Sequence, residues 1–455
     1  MTGPTDDLLC PLEYRYGRPQ FRALFTRKAR LERALRVEAA LAAAQASLGA
    51  IPSSDAEGIG RAVSSGKVTL ERVDALEREL RHDVMAIVRA LSEAAGDAGA
   101  WVHYGATSAD ITETALGLEL KEALQVLRVD LTDLASALVD LARRYEDTPA
   151  VGRTHGQHAV PLSFGYKMAS GAAEVLRHRV RLDELAPRLA VGKMAGAVGT
   201  GAGFGVHAEK LESDVMARLG LLADEAPTQI VGRDRLAELT NFLALVAGTA
   251  ERLATEVRNL QRPEIAEAAE PFDEAHQVGS STMAQKRNPV VTENVTSLAR
   301  LIRAFSLPPL ENMALWHERD LAQSANERIV IPHALVLSDD VLTKLTQVFR
   351  GLRVDVNQLA HNLELSSGAV MTESLLLALT ARGVPRGDAH ELLRQLTREE
   401  GSGLPLADRA RADARVTQYL TARQIDELLD PARYVQAAAE KTGRVLRRLE
   451  PQLKT

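Results

Sequence analysis

The sequence contains a single cysteine, Cys10, among its 455 residues. One cysteine excludes an intrachain disulfide, and it excludes a zinc or iron–sulfur site built from several thiolates of one chain. The first eleven residues lack the basic and then apolar order of a signal peptide. No apolar run reaches the roughly 18 residues that a membrane-spanning helix needs. We therefore expect a cytoplasmic protein with no membrane partner.

Aromatic residues are also scarce, since 8 Phe, 7 Tyr and 2 Trp make up only 4% of the chain. Sheets rely on aromatic and β-branched residues, whereas helices can be built from Leu and Ala. The scarcity therefore favours an all-α fold. The formal net charge is only −6, and no excess of basic residues indicates a surface for nucleic acid.

Leucines spaced by three or four residues run from Leu116 to Leu141 and predict one long helix over 111–144. Similar patterns predict further long helices over 161–185, 233–262, 290–307 and 332–363. A long helix needs neighbours that cover its apolar stripe, so we expect a central bundle. One helix is expected over 69–91, before the bundle.

These patterns predict an organisation in three domains. An N-terminal helical domain is expected over 1–110, and a central bundle of long helices over 111–363. A C-terminal helical domain is expected over 364–455, where Gly and Pro interrupt shorter helical segments.

The segment from Gly279 to Pro289, with the sequence GSSTMAQKRNP, precedes one of the predicted long helices. Its small residues allow backbone N–H groups to approach an oxyanion, and Lys286 adds a positive charge. The alternative is a mobile surface loop that ends in a helix cap. The segment alone does not decide between the two.

Three other polar segments contain candidate functional residues. His155 lies in 153–158 (RTHGQH) and is better interpreted as a general acid or base than as a metal ligand. The segment 103–110 (HYGATSAD) suits a helix N-terminus, which is also a carboxylate site. The charged stretch 316–328 either forms a solvated helix face or holds phosphate or carboxylate through its arginines.

A glycine-rich run over 192–205 does not match the Gly-x-Gly-x-x-Gly pattern. No strand rich in Val or Ile is expected before it. A dinucleotide or P-loop site is therefore not expected there.

Together these segments resemble the fumarase/aspartase superfamily. Gly279 to Asn288 matches every fixed position of its signature loop, Gly-Ser-Ser-x-Met-x-x-Lys-x-Asn. Thr107-Ser108 and Thr154-His155 are similar to its other two active-site regions. The adenylosuccinate lyase branch is indicated by 11–17 (PLEYRYG), 82–84 (HDV), 229–234 (QIVGRD) and 316–321 (WHERDL).

The resemblance implies a three-domain, all-α fold with a long central helical bundle, and a homotetramer whose sites are each shared by three subunits. It also implies the β-elimination of fumarate from an N-succinyl compound. The expected reactions convert adenylosuccinate to AMP and SAICAR to AICAR in purine biosynthesis, with no metal and no cofactor. The carbanion formed beside a carboxylate needs fixed positive charge and N–H donors.

By resemblance, Ser280 is the general base and His155 the general acid, with Lys286 and His82 as further catalytic residues. The resemblance also implies these substrate-binding residues: Arg15, Tyr16, His103, Thr107, Ser108, Asp110, Thr154, Gln229, Ser281, Met283, Asn288, Glu293, Arg319, Ser324 and Arg328.

Two positions depart from the branch, which usually has Pro and His where this chain has Ala284 and Gln285. They leave open a specialised paralogue that eliminates fumarate from another succinyl amine or from a nitrosuccinate-type substrate. A muconate-type cycloisomerase is a further alternative, although that branch normally lacks the Trp-His-Glu-Arg-Asp run. A catalytically silent scaffold on the same fold is disfavoured because Ser280, His155 and Lys286 are all present.

Overall fold

The computed structural model describes residues 9–398 and 404–454. Most of these residues are helical, and the strands are short, so the all-α prediction is confirmed. The first helices are α1 (Pro19–Arg22), α2 (Arg27–Ser47), α3 (Ser53–Ser64), α4 (Leu70–Leu80) and α5 (Asp83–Ala95). Buried apolar side chains of α2 to α5 form a common core, which includes Leu35, Ile59, Leu76 and Leu91.

The single helix predicted over 69–91 is wrong, because α4 and α5 are separate helices. Arg81 ends α4 with a φ of 54°, in the left-handed region. His82 then caps α5, since its Nδ1 accepts a hydrogen bond from the Met85 N–H at 3.3 Å. Neither Gly nor Pro marks this break in the sequence. The break gives His82 its position at the start of a helix.

The long-helix region begins with α6 (Ser108–Arg144), where the leucines of the predicted stripe are buried except for the half-buried Leu116. It continues with α7 (Phe164–Leu189), α8 (Ala208–Leu219), α9 (Asp234–Leu260), α10 (Val290–Ala304), α11 (Leu307–Glu311) and α12 (Ser324–Arg350). The helix predicted over 332–363 is wrong at both ends. Pro332 lies inside α12 rather than at its start, and α12 ends before Gly351.

The C-terminal helices are α13 (Val356–Glu364), α14 (Thr372–Ala381), α15 (Arg386–Arg398), α16 (Leu406–Ala412), α17 (Ala414–Thr417), α18 (Ala422–Leu429) and α19 (Ala432–Leu453). Side chains of α14 to α18 form a separate apolar core, which includes Leu375, Leu393, Val416 and Ile425.

The strands form two-stranded sheets, and they were not predicted from the sequence. Strands β1 (Pro149–Thr154) and β2 (Gln157–Ser163) pair antiparallel. Strands β3 (Val191–Gly192) and β4 (Leu222–Ala223) pair parallel. Strands β5 (Ala268–Ala269) and β6 (Arg353–Val354) pair antiparallel.

The chain divides into two compact units. The first unit comprises Met1–Leu131, His178–Ala250 and Ser297–Thr343. The second unit comprises Thr132–Arg177, Glu251–Thr296 and Lys344–Thr455. Every boundary between the units falls within one of the long helices. The division into three domains at 110 and 363 stays a prediction.

No helix in the part of the chain that the structure describes is both long and apolar enough to cross a membrane.

Candidate active site

The signature loop, residues 279–289, belongs to the second unit and leads into α10. Its ends are tied together, because the Asn288 Nδ2 donates to the Gly279 carbonyl oxygen at 3.0 Å. A Cβ at Gly279 would overlap the carbonyl oxygen of Lys286. Only glycine therefore allows this close approach, which explains why the loop begins with one.

Ser280 follows Gly279 at the start of this loop. Its Oγ accepts hydrogen bonds from the N–H groups of Thr282 at 3.3 Å and Met283 at 3.1 Å. Two amide donors on one hydroxyl oxygen stabilise negative charge there, which is what a serine needs in order to act as a base. The side chains of Ser281, Met283 and Lys286 are exposed on the same loop.

The helix that follows the loop is capped by Glu270, which the sequence reading missed. Its carboxylate accepts from the N–H groups of Val291 and Thr292, both at 3.0 Å, and from the Thr292 hydroxyl. Glu270 is buried, so these bonds hold the first turn of α10 firmly. Glu293 is exposed on that turn.

His155 lies in the turn of the β1–β2 hairpin, with its side chain exposed. The turn consists of His155 and Gly156, whose φ values are 53° and 74°. Two residues with positive φ are typical of a type I′ hairpin turn. Thr154 pairs with Gln157 across the turn and is also exposed.

The buried carboxylate of Glu267 anchors the hairpin. Arg153 donates two hydrogen bonds to Glu267, at 2.9 and 2.6 Å. Glu267 also accepts from the Asn362 side chain at 2.8 Å. The backbone that carries His155 is therefore held rigidly while the imidazole points into solvent.

The first unit contains a cleft with a volume of about 890 Å³. The cleft is bordered by α2, the α4–α5 break, the start of α6, the segment before α9 and the start of α12. It brings together these predicted site residues: His82, Thr107, Ser108, Gln229, Arg319, Ser324 and Arg328. Its further basic lining residues are Arg27, Arg30, Arg33, Arg81 and Arg233.

Predicted residues from distant segments contact each other in this cleft. The Arg319 guanidinium donates to the Gln229 side chain at 3.1 Å, and the Gln229 N–H donates to the Glu318 carbonyl oxygen at 3.2 Å. Arg328 donates to Asp83, next to His82, at 3.2 Å.

Arg233 organises one wall of the cleft. It donates two hydrogen bonds to Glu113, at 2.6 and 2.7 Å, and lies 2.9 Å from a Glu327 oxygen. Burial raises the pKa of Glu327 to about 7, against the opposing effect of Arg233. The sequence carries Arg233 in a segment typical of the branch, but it does not show these partners.

His103 and Asp110, which are also predicted site residues, have their partners within the first unit. The His103 Nδ1 lies 2.7 Å from Glu38. The Asp110 carboxylate has no exposed surface and accepts from the Thr107 N–H at 2.8 Å. Both side chains thus brace the loop that leads into α6.

Arg15 and Tyr16 lie on the N-terminal segment, which is not among the residues that line the cleft. This segment is anchored by Arg18, which contacts the buried carboxylates of Asp130 and Asp339. Burial and the neighbouring Asp339 raise the pKa of Asp130 to about 7.

The remaining predicted residues lie in the β1–β2 hairpin, the signature loop and the first turn of α10, all in the second unit. Among the described residues of that unit, no hydrogen bond joins 154–157 to 279–289. Across residues 9–398 and 404–454, no group of three or more His, Cys, Asp or Glu side chains is arranged to hold a metal ion.

Comparison with known proteins gives consistent matches along the chain. A family described as "Lyase" matches residues 13–303, and one described as "Adenylosuccinate lyase C-terminus" matches residues 368–445. An adenylosuccinate lyase of Pyrococcus horikoshii is 45% identical over 444 residues, with 97% of this chain and 98% of the relative covered.

Solved structures are similar over nearly the whole chain. A fumarate lyase from Mesorhizobium sp. BNC1 has 31% identity and a TM-score of 0.86, covering 94% of this chain and 98% of that one. A 3-carboxy-cis,cis-muconate lactonizing enzyme from Pseudomonas putida has 31% identity and a TM-score of 0.87, covering 98% and 99%.

Proposed function

Because the chain belongs to the adenylosuccinate lyase family of the fumarase/aspartase superfamily, we propose that it eliminates fumarate from adenylosuccinate, leaving AMP, and from SAICAR, leaving AICAR. It is a C–N lyase. The observation that carries the proposal is the cleft of the first unit, where Arg319 and Arg328 lie with Thr107 and Ser108. A nucleotide that bears a succinyl group needs basic side chains for its phosphate and separate polar groups for its succinyl carboxylates.

The arginines suit the phosphate end of the substrate. A guanidinium presents a planar pair of N–H donors that match phosphate oxygens. The Arg328 side chain is exposed, and its hydrogen-bond partner Asp83, 3.2 Å away, is exposed as well. Ser324 starts α12, where free N–H groups favour an anion.

Thr107 and Ser108 suit a carboxylate of the succinyl group. Ser108 is the first residue of α6 and Thr107 precedes it, where the helix dipole favours negative charge. His82 lies in the same cleft at the start of α5. In the proposed site it supports the general acid.

The chemistry begins when the Ser280 Oγ takes the proton from the carbon beside a succinyl carboxylate. The electron pair left behind spreads into that carboxylate, and Lys286 and Asn288 stabilise its charge. The C–N bond then breaks, and the same electrons form the double bond of fumarate. His155 gives a proton to the departing nitrogen.

We further propose that the active form is a cytoplasmic homotetramer with sites shared by three subunits. Exposure of His155 and Lys286 supports this, because elimination requires both groups to be screened from water. Each long helix also leaves a large apolar side chain exposed: Val129 on α6, Val180 on α7, Leu245 on α9, Leu301 on α10 and Ile329 on α12. Burial between subunits would remove this surface from water.

The specialised paralogue with another succinyl substrate is not favoured. The curated relatives, at 36–45% identity over nearly their whole length, are adenylosuccinate lyases. Ala284 and Gln285 change the signature loop without removing Ser280, Lys286 or Asn288.

The direct test is to incubate the purified protein with adenylosuccinate and with SAICAR and to quantify fumarate and the released nucleotide by chromatography. We expect equal amounts of fumarate and AMP, or of fumarate and AICAR. The Ser280→Ala variant is the control for contaminating activity. Release of fumarate from another succinyl compound but from neither of these would contradict the proposal.

A further inference from the structure

Lys193 and Asp110 form an ion pair in the first unit, and both side chains are 0% exposed. Lys193 lies just after β3, at the start of the glycine-rich run 192–205, and Asp110 lies in the first turn of α6. A buried ammonium is costly unless it is paired and hydrogen-bonded. One role of such a pair is to fix a local conformation, and the contacts of Lys193 and Asp110 indicate which conformation that is.

Asp110 joins two loops through its two carboxylate oxygens. One loop is that of residues 103–108, whose Thr107 N–H donates to Asp110 at 2.8 Å. The other is the glycine-rich run, whose Ala195 and Gly196 N–H groups donate at 3.0 and 3.2 Å. The Lys193 Nζ donates to Asp110 and, at 3.3 Å, to the Gly196 carbonyl oxygen. The lysine therefore neutralises the carboxylate on which both loops converge.

The backbone around Lys193 is fixed independently against α6. Thr114, one turn after Asp110, accepts from the Lys193 N–H at 3.1 Å and donates to its carbonyl oxygen at 2.8 Å. One turn further, a Cβ at Gly117 would overlap the carbonyl oxygen of Val191. Gly117 is the one break in the apolar pattern of α6, and this close approach explains it.

The glycine-rich run also contacts the segment before Gln229. Gly199 has a φ of 82°, and a Cβ there would overlap the carbonyl oxygen of Pro227. In the loop before α6, a Cβ at Gly105 would lie 2.8 Å from the ring of Phe204, which belongs to the glycine-rich run. The run therefore packs between the loop before α6 and the segment that carries Gln229.

We propose that the buried Lys193–Asp110 pair is a positioning element for the elimination. It holds Thr107 and Ser108 at the distance from the Gln229 segment that a succinyl carboxylate requires. Neither side chain has exposed surface, so both act through the loop, and Asp110, which the resemblance implied to be a substrate-binding residue, is assigned a positioning role instead. The inference rests on the proposed function, because it takes Thr107 and Ser108 as carboxylate-binding residues.

The test uses the full-length enzyme and two product inhibitors, fumarate and AMP. Lys193→Met keeps the length of the side chain and removes its charge, which leaves Asp110 without its cation. We expect the inhibition constant of fumarate to rise about tenfold or more and kcat to fall. The inhibition constant of AMP should change less than twofold. Lys167→Met, which breaks the part-buried ion pair with Glu256, is the matched control and should change neither constant.

A purely structural role would give a different result. Parallel rises in both inhibition constants, or a lower melting temperature with unchanged constants, would overturn the proposal. If Lys193→Met does not assemble, Thr114→Val serves instead, because it keeps the shape and removes two hydrogen bonds to the Lys193 backbone. The same selective rise, of smaller size, is then expected, and its absence would overturn the proposal.

Ser108→Ala separates a failure of this inference from a failure of the proposed function. If Ser108→Ala raises the fumarate constant and Lys193→Met does not, the positioning role is wrong. If Lys193→Met raises it and Ser108→Ala does not, the positioning role stands and the carboxylate assignment of Ser108 is wrong. If neither variant raises it, both statements are wrong.

Discussion

The cleft of the first unit and the signature loop of the second unit present their predicted site residues in opposite ways. The cleft is lined by the buried ion pair of Arg233 with Glu113, and the loop that leads into α6 is held by that of Lys193 with Asp110. The loop holds the half-buried Ser280 and the exposed Lys286 in a segment whose two ends are hydrogen-bonded to each other. A preorganised surface suits recognition of a charged substrate, whereas an exposed loop suits groups that must approach it after binding.

Substitution of Ser280, the proposed base in the signature loop, should have the largest effect on activity. We expect Ser280→Ala to lower kcat by about 10³-fold or more, because the hydroxyl acts only in the transition state. The KM for adenylosuccinate should change little. Steady-state kinetics measures both, with Thr282→Ala, an exposed position on the same loop, as the control. Near-normal kcat in Ser280→Ala would remove it as the base.

Substitution in the cleft should act on binding instead. We expect Arg319→Gln to raise the KM for adenylosuccinate by roughly ten- to a hundredfold, because the guanidinium supplies charge that glutamine lacks. The fall in kcat should be much smaller than in Ser280→Ala. Arg300→Gln, an exposed residue elsewhere in the first unit, is the control. A selective loss of kcat would show that the cleft takes part in the chemical step.

The buried charges of the first unit should also make its stability depend on pH. The pKa of Asp130 is raised from 3.8 to about 7 in the folded chain, so the folded state binds this proton more tightly than the unfolded state. Stability contributed by the protonated group is therefore lost as pH rises through this window. The full pKa shift corresponds to roughly 4 kcal/mol of unfolding free energy. Because Arg18 contacts Asp130 and Asp339 and stabilises their charged forms, we expect a loss of only about 1–2 kcal/mol as pH rises.

Melting temperatures of the wild type and Asp130→Asn between pH 5 and 8 measure this effect. Asparagine stays neutral, so the variant should gain stability relative to the wild type as pH rises. A constant difference across the range would show that Asp130 does not titrate there. Asp133→Asn, on the same helix with its side chain half exposed, is the control.

The smallest effect is expected where the loop meets its rigid support. Glu270→Gln weakens the cap of α10 by replacing a carboxylate that accepts three hydrogen bonds, and should cost about 1 kcal/mol. Hydrogen exchange of the Val291 and Thr292 amides should become faster, with little change in the cleft. Unchanged exchange would show that Glu270 is not what holds the start of the helix.

The sequence predicted the features that repeat or that lie close together in the chain. Leucine spacing located α6, and the signature pattern located the loop with Ser280 and Lys286. The break at Arg81 was missed because a non-glycine residue adopts a positive φ there. The hairpin that carries His155 was missed because its strands contain Pro and Gly, which are unusual in strands.

Contacts between distant residues were beyond the sequence. Lys193 and Asp110 are far apart in the chain, and nothing in either segment marks a lysine that is fully buried. The same holds for Glu270 as the cap of α10, because a glutamate about twenty residues before a helix has no local signature. Pairing of this kind depends on how helices pack, which single-sequence patterns do not encode.

The contact between the two ends of the signature loop has a consequence for the proposed reaction. Gly279 lies against the Lys286 carbonyl oxygen and accepts a hydrogen bond from the Asn288 side chain, so Ser280 and Lys286 lie on one loop whose two ends are joined. In the proposed mechanism, the group that removes the proton and the group that stabilises the resulting charge therefore belong to one closed segment, and a displacement of that segment would affect both steps together.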